Sequence, residues 1–163
     1  MRALLVLGGP RLARDPLLQQ LRALAGAGWQ ADVVSFRALD DEVRAAVHAT
    51  GGEIVLLLPT GLRPTVPALA PRSRRLARAL RGVERRAEPY RAKMLGRMPG
   101  WAYARRLLRD IDAVRVARAA DVAVAVDRDS GLAVWKLARR RPDLTAVNGL
   151  GALANLMTRY AGR

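Results

Sequence analysis

The stretch ALLVLGGPRLARDPLLQQLRALAGAGWQADVVSF, residues 3–36, decides the fold. Ala3 to Leu7 is an unbroken apolar run stopped by Gly8-Gly9-Pro10, which suits a strand buried on both faces. Asp15-Pro16 then reads as an N-cap followed by proline in the first helical turn, where its missing N–H costs nothing. Leu17, Leu18, Leu21, Leu24 and Ala25 form one apolar stripe, and Gly26 and Gly28 close the helix. Ala31 to Phe36 is a second strand. Strand, helix and strand in so few residues is a βαβ unit, which requires a parallel pair.

The pattern extends outward from that unit. Asp40 to Thr50 reads as a short helix capped by Asp40 and ended by Gly51-Gly52, and Ile54 to Leu58 as a third buried strand. Val122 to Val126 is a fourth strand and Leu144 to Val147 a fifth, with a helix from Gly131 to Arg141 between them and a last helix from Leu150 to Tyr160. The expectation is one Rossmann-like α/β domain over residues 1–163, a parallel sheet of about five strands with helices on both faces. At 163 residues and 51% apolar composition the chain can bury a core. It has no cysteine, which removes disulfides and thiolate metal sites, and no cofactor motif is read. Its start runs directly into a strand pattern, so a cytoplasmic home is expected.

Charge is concentrated. The net charge is +15, and 27 of the 29 basic residues are arginine. Residues 63–118 alone carry 16 basic and four acidic side chains, leaving a net of only +3 elsewhere. On a helical wheel Arg74, Arg78, Arg81 and Arg85 share one side opposite Leu76, Leu80, Val83 and Ala87. Tyr90, Met94, Met98 and Trp101 follow at spacings of four, four and three, then a second helix from Tyr103 to Ala119 with Leu107, Leu108, Ile111 and Val114 facing one way. Arginines beside Tyr90, Trp101 and Tyr103 suit peripheral contact with the inner membrane face, or, behind that, with nucleic acid. The competing reading is that the apolar stripes pack on the sheet and the arginines are solvated.

Three further candidates sit at strand ends, where open α/β sheets bind ligands. Gly8, Gly9, Arg11 and Arg14 surround the first turn and offer backbone N–H groups and guanidiniums to an anion or acceptor, although the spacing is not G-x-G-x-x-G. Asp127 in Asp127-Arg128-Asp129-Ser130 is a candidate base or hydroxyl ligand, with Asp129 or Ser130 read as the cap of the next helix. Asn148 ends the fifth strand. The lone histidine, His48, reads as a surface residue.

Arg14-Asp15-Pro16, Arg22-Ala23-Leu24-Ala25 and Ala27-Gly28-Trp29-Gln30-Ala31-Asp32-Val33-Val34, with the later Ala119 to Asp127 and Leu132 to Arg140, resemble the N-terminal half of GT-B glycosyltransferases of the family 4-like type. The resemblance covers most of the chain outside roughly residues 60 to 100. It implies an acceptor-side domain that needs a separate or missing donor-binding domain or chain and is inactive alone. Members often carry histidines near the ends of the fourth and fifth strands, where this chain has Asp127 and Asn148. The alternative is a non-catalytic module whose basic helices contact anionic membrane or nucleic acid.

Overall fold

In the computed structural model, residues 1–9, 13–57 and 100–161 are described. Strands β1 (Arg2–Leu7), β2 (Gln30–Ser35), β3 (Ile54–Leu56), β4 (Val122–Ala125) and β5 (Thr145–Asn148) form one all-parallel sheet in the order β3-β2-β1-β4-β5. The helices are α1 (Arg14–Gly26), α2 (Asp41–Ala49), α3 (Gly100–Leu107), α4 (Ile111–Ala119), α5 (Gly131–Arg140) and α6 (Leu150–Ala161). The strand order reverses between β1 and β4, which places a switch-point crevice outside the carboxyl ends of those two strands. The expected α/β, Rossmann-like architecture is therefore the one observed.

Two cores explain why β1, β2 and β4 are so apolar. Leu4, Val6, Val34, Phe36, Ala123 and Ala125 face α3, α4 and α5, where Tyr103, Leu107, Val116 and Leu137 complete one layer. Ala3, Leu5, Leu7, Val33, Val122 and Val124 face the other way, onto Leu17, Leu21 and Leu24 of α1, Val43 and Val47 of α2, and Leu153 of α6. Alternate residues of each strand thus serve opposite cores, and neither face tolerates a polar run. Besides Ser35 at the end of β2, the exception is the charged Asp32, fully buried within the same strand. Arg2 reaches it through two hydrogen bonds, of 2.5 and 3.1 Å, and the Glu53 N–H donates at 2.9 Å, so the charge is paired and satisfied.

Several local expectations are corrected. Helix α1 begins at Arg14 after Ala13, whose side chain makes no cap, and Asp15 lies in its first turn. There it favours the positive end of the helix dipole without capping it. The single helix expected from Tyr103 to Ala119 is two, because Asp110 accepts from the N–H groups of Asp112 and Ala113, both at 3.1 Å, and starts α4 afresh. That break turns Ile111 outward, to 85% exposure, while Leu107 stays buried. Trp135 of α5 is also exposed, and the last short strand, β5, is an exposed edge strand. Tyr103 is fully buried against Phe36, ring centres 4.6 Å apart, so it belongs to the core and not to a membrane-facing surface.

Candidate functional site

The crevice is built by two turns from opposite halves of the chain. Gly8 and Gly9 leave β1, and Asp127 caps the 3-10 turn Arg128–Ser130 that follows β4. Asp127 Oδ2 accepts from the Gly8 N–H at 2.8 Å and the Gly9 N–H at 2.9 Å, while Oδ1 accepts from the Ser130 N–H at 2.9 Å. Ser130 completes a capping box by accepting from the Asp127 N–H at 3.3 Å, and its hydroxyl also donates to the Asp127 carbonyl at 2.7 Å. One carboxylate therefore cross-links β1 to the turn after β4. Asp127, from an extended backbone, caps the 3-10 turn, while Ser130 holds the N-cap position of α5 without a side-chain cap bond and Asp129 caps neither.

A side chain at either glycine would be crowded. A Cβ on Gly8 would stand 3.0 Å from the Ser130 nitrogen, and one on Gly9 would stand 3.3 Å from the Asp127 carboxyl carbon. The same position on Gly9 lies 3.4 Å from Asp129 Oδ2 and 3.5 Å from Asp127 Oδ2, so the two half-buried carboxylates flank Gly9. Asp129 makes no hydrogen bond or ion pair among the described residues. It is the open acceptor of the pair, whereas the sequence reading favoured a capping role for it. The signal available in the sequence was its position two residues beyond Asp127 at a strand end. Beneath them lies Tyr103, whose phenol is pushed up to about 12 from 10.0 by burial and then by the charges of Asp129 and Asp127. Gly100 opens α3 against this turn, a Cβ there meeting the Asp129 carbonyl at 3.4 Å.

The other candidates disperse. Arg14 does not reach into the crevice as a free cation. It pairs with Asp40 at 3.2 Å and with Glu42, tying α1 to the start of α2. Asn148 ends β5 in register with Ala125, exposed at the same sheet edge but one strand beyond the crevice. Arg11 and the stripe Arg74, Arg78, Arg81 and Arg85 lie outside the described residues. Trp101 opens α3 and is 56% exposed. Among the described residues no cluster of His, Asp or Glu is gathered to hold a metal ion, and no helix is long and apolar enough to cross a membrane.

Chemically, the crevice presents negative charge and hydrogen-bond acceptors. Backbone N–H groups at the first turn of such a sheet ordinarily meet a ligand phosphate. Here they meet Asp127, and any phosphate would also face Asp129. No family model, curated protein or solved structure matches the chain.

Proposed function

We propose that the chain is the acceptor-side half of a GT-B-type glycosyltransferase, its β1–β4 crevice taking a hydroxyl-bearing acceptor. A separate donor-binding domain or chain supplies the nucleotide sugar. The observation that carries this reading is Asp127 seated on the Gly8 and Gly9 N–H groups, which closes the usual pyrophosphate position. Unit charges near 4 Å repel by roughly 1 to 4 kcal/mol depending on solvation, so two carboxylates disfavour a phosphate and favour hydroxyl donors. In the assembled enzyme Asp129 accepts the acceptor hydroxyl's proton as its oxygen bonds to the sugar, and the nucleoside diphosphate leaves with the electron pair of the broken bond. A cytoplasmic location is part of the same reading.

The test is amide NMR on the isolated chain with methyl glycosides and short neutral oligosaccharides as probes. Saturable shifts at Gly9, Asp129 and Ser130 are expected, and Asp129→Asn should weaken them about 10- to 100-fold, the worth of one charge-assisted hydrogen bond. Absence of shifts at these amides, or unchanged affinity in the variant, removes the reading.

A further inference from the structure

The outer surface of α4 carries features that folding does not require. Its inward residues Ala113, Val116 and Ala117 are buried on the sheet. Its outward side begins with Ile111, 85% exposed, and at 100° per residue Ile111, Val114, Arg115 and Arg118 fall within an arc of about 100°. With Arg109 and Ala119 they line an open groove of about 670 Å³. An isoleucine placed this way forgoes burial that a core position would supply.

The charges around the groove are unbalanced. Asp110 is held by the α4 cap, and Asp112 and Glu53 both pair with Arg115, at 3.7 and 2.7 Å. Arg109 and Arg118 have no ion-pair partner among the described residues. Apolar side chains between unneutralised guanidiniums match a ligand with an anionic head and a hydrocarbon body. Two more interfacial side chains stand on the other helices of this sheet face: Trp101 of α3 and Trp135 of α5, 56% and 51% exposed, with Arg139 stacked 5.0 Å from the Trp135 ring centre. The opposite half contributes no excess charge, since residues 1–57 hold six basic and six acidic side chains.

We infer that the outer face of α4 docks on an anionic phospholipid surface, Ile111 and Val114 entering the headgroup boundary while Arg109 and Arg118 meet lipid phosphates. A nucleic acid fits the groove less well, because its lining offers no aromatic ring for a base to stack on and Ile111 gains nothing from a phosphate backbone.

Vesicle flotation tests this with the full chain at about 0.15 M salt. Vesicles containing phosphatidylglycerol should carry the protein and pure phosphatidylcholine vesicles should not. Arg109→Gln with Arg118→Gln should lower the bound fraction about 10- to 30-fold, as expected for two basic residues at an anionic surface. Ile111→Ser should spare low-salt binding and abolish the part that survives about 0.5 M salt. The side chains of Arg109, Ile111 and Arg118 make no hydrogen bond or ion pair among the described residues, and unchanged thermal melts should confirm intact folding. Flotation equal to wild type in the double variant places docking elsewhere and overturns the inference. So does absence of flotation by the wild type, or a double variant that loses duplex DNA while keeping vesicles.

Discussion

Asp127 is committed by its three N–H partners, whereas Asp129, two residues on, is left to meet solvent or ligand. The same residue type in one turn thus takes two roles, set by backbone direction. Tyr103 beneath them reports the local field. Its raised value means that the neutral phenol is favoured in the fold. Below pH 10 folded and unfolded chains both hold the proton, so the contribution is complete there. From pH 10 through about 12 only the unfolded chain ionises, and the contribution is lost. Denaturation midpoints measured from pH 8 to 12 should therefore fall more steeply for the wild type than for Tyr103→Phe. Parallel curves would show that the phenol is not shielded as described.

At the scale of elements, legibility followed burial. β1, β2 and β4 were readable because each is covered on both faces, so their apolar runs have no competing explanation. The α3–α4 break was not, because Leu107, Leu108, Ile111 and Val114 keep helical spacing across it. Only the Asp110 cap distinguishes two helices from one, and aspartate also occurs within helices. Nor could spacing announce the clasp at the other end of α4. Arg141 Nη1 donates to the carbonyls of Ala117, Arg118 and Ala120 at 2.7, 2.9 and 3.0 Å, satisfying the end of the helix before β4 begins. Arg141→Gln should cost about 1 to 3 kcal/mol in urea denaturation, the range for charge-assisted bonds to groups otherwise left unpaired. Hydrogen exchange should quicken first in the last turn of α4. A loss under about 0.5 kcal/mol would mean that water replaces the guanidinium freely.

Across the whole molecule, the sheet order joins what the sequence separates. Gly8 and Gly9 were identifiable as a strand-end turn, and Asp127 as a strand-end carboxylate, from their flanking apolar runs alone. Their contact was not, since they lie 118 or 119 positions apart in the sequence and only the adjacency of β1 and β4 brings them together. The anion-binding surroundings expected at this turn thus become a site already holding its own anion, with Arg14 drawn away to α2. On the proposed reading, a single carboxylate position is what distinguishes an acceptor-side crevice from a nucleotide-binding one. The most direct measurement is an amide NMR titration of the wild-type chain with a nucleoside diphosphate, read at Gly8, Gly9 and Ser130. The account predicts that these three amides stay unmoved at millimolar nucleotide, whatever the arginine-rich surface binds. Saturable shifts at all three would contradict it, showing that phosphate displaces Asp127 and that the crevice serves the donor.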